Sequence, residues 1–220
     1  NNLDNNFSFA DLRFFVPLLL SKGRDISIVD IGGAAGYAYF TVNKLWSSIS
    51  NDVNLKWTIV ETKTMANRAC KVFPDLSFID INQFMETTKT RGESTSVEVL
   101  MASSTIQYME SPDDFLSKIV ALKKFGYIWI TRTPFLEEGN KFSSIQQSKL
   151  SSNGISTNMN EKDKKIDHVI TFISLDVVTK IFENNGYEVI ALIKEDTYIT
   201  AKHICISYYS ILAKKANKRN

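Results

Sequence analysis

The run Ile26-Ser27-Ile28-Val29-Asp30-Ile31 passes without a break into Gly32-Gly33-Ala34-Ala35-Gly36. A short β-branched stretch bounded by glycine on its far side predicts a strand buried on both faces, as in a parallel sheet. The glycines predict a tight turn whose backbone can approach a neighbour closely, and helical spacing resumes at Tyr37. Strand, side-chain-poor bend and helix in that order point to an α/β architecture with a site at the carboxyl edge of its sheet.

The same alternation continues downstream. Strands are predicted at 55–61, 76–80, 97–102 and 127–130, and helices at about 37–49, 65–72 and 112–124, with a short one after 80 and a polar loop over 87–96. Pro74 and Gly126 end two of the helices, while Pro112, Asp113 and Asp114 suit a first turn. An N-terminal helix is expected within 1–22, from the spacing of Phe9, Leu12, Phe15, Val16 and Leu19 behind a Ser8/Asp11 cap. The segment 133–173 is polar and too long for an ordinary connection, which predicts an insertion or lid, with Phe142-Ser143-Ser144-Ile145-Gln146 as a small strand. A helix at 175–185 ends at Gly186, and strands at 187–194 and 203–212 follow with no helix between them. The fold expected is Rossmann-like: a mostly parallel sheet with an antiparallel C-terminal strand and helices on both faces. Without a linker-like break, 1–220 reads as one domain.

Charge narrows the partners. Twenty-six basic and 24 acidic side chains leave a net charge of +2, so no nucleic-acid partner is expected. The tail Lys214-Lys215-Ala216-Asn217-Lys218-Arg219 reads as a solvated terminus. No apolar run approaches the roughly 20 residues of a membrane span, and no secretory signal is apparent. Cys70 and Cys205 lack metal-ligand spacing and read as buried free thiols, so a cytoplasmic protein is expected. No metal site is expected.

The chemistry lies after the strands. Glu61 ends the second strand, where a carboxylate accepts hydrogen bonds from both ribose hydroxyls of an adenosine and repels a phosphorylated ribose. Thr62 follows it. Asp80 ends the third strand, and it or the Ile81 backbone is expected beside the adenine. Such a nucleoside site suits S-adenosylmethionine (SAM) or NAD. Asp30 favours SAM, because its methionine carries an ammonium group whereas a pyrophosphate would be repelled. A short-chain reductase needs Tyr-x-x-x-Lys on a helix with a Ser before it. Here the only such pair, Tyr198 and Lys202, falls between the last two strands, with Asn185 in place of the Ser.

Several short motifs in order make the likeness more specific: Val29-Asp30-Ile31-Gly32-Gly33, Lys56-Trp57-Thr58-Ile59-Val60-Glu61-Thr62, Leu76-Ser77-Phe78-Ile79-Asp80, Ser103-Ser104-Thr105-Ile106-Gln107-Tyr108, Thr131-Arg132-Thr133-Pro134-Phe135 and Gln146. On these the chain resembles class I SAM-dependent methyltransferases, and more narrowly a methyltransferase family of bacterial surface-polysaccharide gene clusters. The resemblance implies a seven-stranded sheet, SAM bound by Asp30, Gly32, Gly33, Gly36 and Glu61, with Ser103 close by, and a small-molecule or glycan substrate. Ala34 departs from it, standing where the superfamily often has a second glycine.

The methyl acceptor is expected at the segments after the fourth and fifth strands, which supply Ser103, Ser104, Gln107, Tyr108 and Arg132. Tyr108 shapes the pocket or belongs to the core. Arg132 clamps a phosphate or carboxylate of the acceptor or makes a structural ion pair. His168 is the candidate general base against a plain surface role, and His203 reads as structural. The activity expected is O-methylation of a sugar or sugar-containing intermediate. A non-catalytic SAM-fold scaffold and an NAD-linked oxidoreductase are the alternatives.

Overall fold

The structure, a computed structural model, describes residues 16–20, 23–49, 54–90, 97–122, 124–149 and 165–216. Its centre is a seven-stranded sheet built from β1 (Ile26–Ile31), β2 (Leu55–Glu61), β3 (Ser77–Asp80), β4 (Val97–Ser103), β5 (Tyr127–Phe135), β8 (Tyr187–Ala201) and β9 (Ile204–Lys215). The spatial order is β3-β2-β1-β4-β5-β9-β8. Neighbours from β3 to β5 are parallel, and β9 runs antiparallel to both β5 and β8. All six residues of β1 are buried, because helices cover both faces of a parallel sheet.

Among the described residues α1 (Val16–Leu19) precedes the sheet, and five helices connect its strands: α2 (Tyr37–Ile49), α3 (Lys63–Val72), α4 (Ile81–Thr90), α5 (Pro112–Ala121) and α6 (Leu175–Asn184). Two cores result. On one face Ala38 and Val42 of α2 and Ala66 and Ala69 of α3 pack on Ile28, Trp57, Ile59 and Val99. On the other, Phe84 of α4, Leu116, Ile119 and Val120 of α5 and Val178 and Phe182 of α6 pack on Val29, Ile31, Leu100 and Ile130. Local chemistry sets the helix starts. Asp80 accepts from the Asn82 and Gln83 N–H groups while Gln83 accepts from the Asp80 N–H, a reciprocal cap for α4. Ser174 accepts from the Val177 N–H at α6.

The order β3-β2-β1 to one side and β4-β5 to the other puts the reversal of connection between β1 and β4. In open α/β sheets ligands bind at such a reversal, outside the carboxyl ends of the strands. Over the same edge lies a two-stranded antiparallel ribbon of β6 (Phe142–Lys149) and β7 (Lys165–Phe172). Thus the segment predicted as an insertion carries a β-ribbon, joined to the body by a small core of Leu136, Ile170, Phe172 and Ile206.

Several boundaries differ from expectation. β5 extends to Phe135, α4 reaches Thr90 within the predicted polar loop, and β8 runs to Ala201. His203 sits in the β8–β9 turn with φ of 66°, not in a strand. Cys70 and Cys205 are free but exposed, since each lies on the outward side of its element. Of the predicted N-terminal helix, Val16–Leu19 is helical, while 1–15 and 21–22 lie outside the described residues. Among the described residues no helix is long and apolar enough to cross a membrane.

Candidate functional site

The bend after β1 is packed from beneath and open above. A Cβ on Gly32 would meet Thr105 Cγ2 at 2.3 Å, and one on Gly33 would meet Asp30 Oδ2 at 2.4 Å. One on Gly36 would press on Leu76 and Ile59. Gly32 and Gly36 also take positive φ, so packing and backbone together favour glycine there. Ala34 and Ala35, on the outer side, are exposed. Asp30 lies below the turn, 2% exposed, and accepts a hydrogen bond from Trp57 Nε1 at 3.3 Å. Burial pushes its carboxyl up to about 7, the Trp57 bond partly countering this and the Glu61 charge adding to it. Its position supports the loop from within.

Glu61 reaches over from β2. Its Oε1 accepts from the Ala34 N–H at 2.9 Å and its Oε2 from the Thr62 N–H at 3.0 Å. Each oxygen retains a lone pair for a further donor. The carboxylate thus lies against the outer side of the bend, where β1, β2 and β4 end. Thr62 caps α3, accepting from the Met65 N–H. Asp80 is the register partner of Glu61 on β3, with Oδ1 committed to the α4 cap and Ile81 opening that helix. Ser103, the last residue of β4, accepts from Thr105 Oγ1 through its carbonyl.

The acceptor-side residues come together as well. After β4 the chain makes a 3-10 turn, Ile106–Tyr108, against which β7 packs. Tyr108 donates its hydroxyl to Gln146 Oε1 at 2.9 Å, and its ring meets His168 edge-on at 5.9 Å. Gln146 and His168 are register partners across the ribbon. Alternation turns them toward the body while Ile145 and Val169 face out, 69% and 65% exposed. Burial raises the Tyr108 hydroxyl's pKa, an effect the Gln107 amide and the Arg132 charge partly offset. Gln107 is buried, donates to Ser104 Oγ at 3.2 Å, and its Oε1 has no partner among the described residues.

Backbone strain marks the same edge. Among the described residues, apart from the β8–β9 turn, the non-glycine residues with positive φ are Ala34 (50°), Ser104 (53°) and Arg132 (53°). They lie in the bend that follows β1, directly after β4 and within the carboxyl half of β5. Each costs about 1–2 kcal/mol relative to ordinary backbone, and such residues concentrate at functional sites.

The chain is similar over nearly its whole length to solved SAM-dependent methyltransferases. One from Clostridium acetobutylicum is 9% identical with a TM-score of 0.56, over 96% of this chain and 94% of that one. The glycopeptide N-methyltransferase MtfA, complexed with sinefungin, is 12% identical with a TM-score of 0.57, over 98% and 90%. DesVI of Streptomyces venezuelae is 13% identical with a TM-score of 0.54, over 91% and 90%. The fold is that of the class I methyltransferases. No family model matches the chain, and no curated protein matches it in sequence.

Within this methyltransferase fold, Tyr198 lies in β8 and Lys202 in the following turn, so the helix that a short-chain reductase pair needs is not there. Sequence reasoning missed four polar residues that the methyltransferase sheet brings to its edge: Thr105 beneath Gly32, and Glu195, Tyr208 and Ser210 beside Arg132. Only the register of β8 and β9 on β5 places the last three, so no local signal could have found them.

Proposed function

We propose that this protein is a SAM-dependent methyltransferase that methylates a hydroxyl of a sugar or sugar-containing intermediate, of the kind used in surface-polysaccharide synthesis. The observation that carries the reading is the Glu61 carboxylate held against the glycine bend by the Ala34 N–H. A carboxylate in that place, with lone pairs to spare, suits a ribose diol. Gly32, Gly33 and Gly36 provide the bend for the methionine part, with Asp30 stiffening it from below, and Thr62, Asp80, Ile81 and Ser103 line the rest of the edge. MtfA, which shares the fold, is complexed with SAM, S-adenosylhomocysteine and sinefungin, and its name as a glycopeptide methyltransferase supports a glycan-related acceptor here.

When bound, SAM supplies an electrophilic methyl group on a sulfonium. The protein's part is then to align a hydroxyl with it and to manage one proton. His168, facing Tyr108 under the ribbon, is the base that takes the acceptor's proton. Tyr108 and Gln146 orient the acceptor through the polar wall they share, and Arg132 faces its anionic part. The ribbon of β6 and β7 shields this side from water.

Calorimetry and thermal unfolding with SAM, S-adenosylhomocysteine and NAD test the cofactor. SAM and its demethylated product are expected to bind and raise the Tm, NAD to do neither. Glu61→Ala should weaken SAM by about 1 kcal/mol or more with the fold intact. Preferential binding of NAD, or unchanged SAM affinity in Glu61→Ala, would overturn the reading. Transfer of labelled methyl from SAM to nucleotide sugars distinguishes an enzyme from a scaffold.

A further inference from the structure

Arg132 owes its conformation to a device spread over three strands. The register of β5 on β9 shifts between Ile130/Ile211 and Thr133/Tyr209, leaving Thr131 and Arg132 opposite the single residue Ser210. The register of β8 on β9 shifts between Lys194/Tyr209 and Tyr198/Ser207, which sets 195–197 opposite Tyr208 alone. Two bulges therefore flank the same short stretch of β9. A bulge takes an N–H out of the ladder, and at β5 that group belongs to Arg132. Glu195 spans β9 to satisfy it, its Oε1 accepting from the Arg132 N–H at 3.1 Å and from Ser210 Oγ at 2.7 Å. Ser210 Oγ in turn lies 2.7 Å from Thr131 Oγ1, which is fully buried.

The bulge holds Arg132 at φ 53° with its side chain exposed. Among the described residues the guanidinium has no carboxylate partner. The charge instead acts on two phenols. Both Tyr108 and Tyr208 are raised mainly by burial, and in both the Arg132 charge works against the rise. An exposed guanidinium held by its backbone in one direction presents a planar fork of donors that suits an oxyanion.

We propose that Arg132 binds an oxyanion carried by the acceptor, a phosphate ester or a carboxylate, and that Glu195 is the positioning residue that holds Arg132 for it. This rests on the acceptor side of the reading above and deepens it. Glu195 acts as a hydrogen-bond acceptor for the bulge, not as a counter-charge to the ligand. Gln at 195 keeps an oxygen in the same place and removes a like charge, so it serves as well as Glu or better.

The test uses the full chain without SAM, so that its outcome is independent of the cofactor. The Nε–Hε resonance of Arg132, identified by its loss in Arg132→Lys, is followed during titration with glucose 1-phosphate, glucuronate and glucose. Glucose 1-phosphate, glucuronate or both should shift it saturably, the pattern telling phosphate from carboxylate, and glucose should not. Glu195→Ala should weaken the anion by roughly fivefold or more, the worth of about one hydrogen bond, while Glu195→Gln holds or improves it. Should Glu195→Ala fail to fold, Ser210→Ala, which removes one of the donors that anchor Glu195, should give a smaller loss in the same direction. Absence of any response to both anions, an equal response to glucose, or full affinity in Glu195→Ala and Ser210→Ala overturns the proposal. A failed SAM titration beside a successful anion titration would sink the cofactor reading alone.

Discussion

Trp57 donates its indole N–H to the Asp30 carboxylate at 3.3 Å, across adjacent parallel strands and underneath the glycine bend. The contact joins the floor of the site to the core between the sheet and α2, since Trp57 packs there with Ala38 and Val42 and edge-on against Tyr39. It also leaves a titratable group in a setting that favours its neutral form.

That setting has a pH signature. Asp30 is raised from 3.8 to about 7 by burial. Between those values the unfolded chain has released this proton while the folded chain keeps it, so Asp30 makes stability fall as pH rises through this window and level off above it. The loss is at most about 4 kcal/mol. Asn at 30 keeps an acceptor for Trp57 without a charge. The stability of Asp30→Asn minus that of the wild type, from denaturant unfolding, should therefore grow from pH 4 to pH 8. A flat difference would show that Asp30 ionises normally in the folded chain.

Ala34 sits at φ 50° with an exposed side chain. Replacing it by Gly relieves about 1–2 kcal/mol of backbone strain and gives back about 0.4–1 kcal/mol through the greater freedom of the unfolded chain. Ala34→Gly should be neutral or more stable by up to about 1.6 kcal/mol, with the Glu61 hydrogen bond kept because it uses the backbone N–H. Ala34→Val, branched at Cβ, should be clearly destabilised. The order of the denaturation midpoints, Gly first and Val last, checks this.

Gly32 and Thr105 are coupled by contact. The added methyl of Gly32→Ala would lie 2.3 Å from Thr105 Cγ2 and 2.4 Å from its Oγ1, at a φ of 70°. Crowding of this kind costs about 1–3 kcal/mol, with about 1–2 kcal/mol more for the backbone. Thr105→Ala removes the two closest atoms, so the double variant should recover about 1 kcal/mol relative to the sum of the single ones. Additive losses in a double-mutant cycle would place the cost in the backbone alone.

If His168 takes the acceptor's proton, His168→Ala should lower kcat for a hydroxyl acceptor by roughly 10²–10⁴-fold and leave SAM affinity unchanged. Its half-exposed place on the ribbon predicts little effect on unfolding. An unaltered kcat would transfer the proton to solvent or to another group.

Much of this architecture is written locally. The β-branched run of β1, ended by glycine, announces a strand covered on both faces. That Glu61 ends β2 follows from the same kind of local pattern. These are short-range periodicities, and nearest neighbours in the chain are enough to express them. Whether the side of an element meets solvent is less local, and so Cys70 and Cys205 were read as buried although both are exposed.

Tertiary structure alone decided the acceptor side. Gln146 and His168 are 22 positions apart and meet only through ribbon register, and Tyr108 joins them because β7 packs on its turn. The Arg132 bulge depends on a carboxylate 63 positions later, on a strand that does not pair with β5 directly. Register between distant strands is settled by burying one face of each against the whole core. A bulge is a one-residue exception to that register, and its cause lies on the neighbouring strands, where a reading along the chain has no access to it.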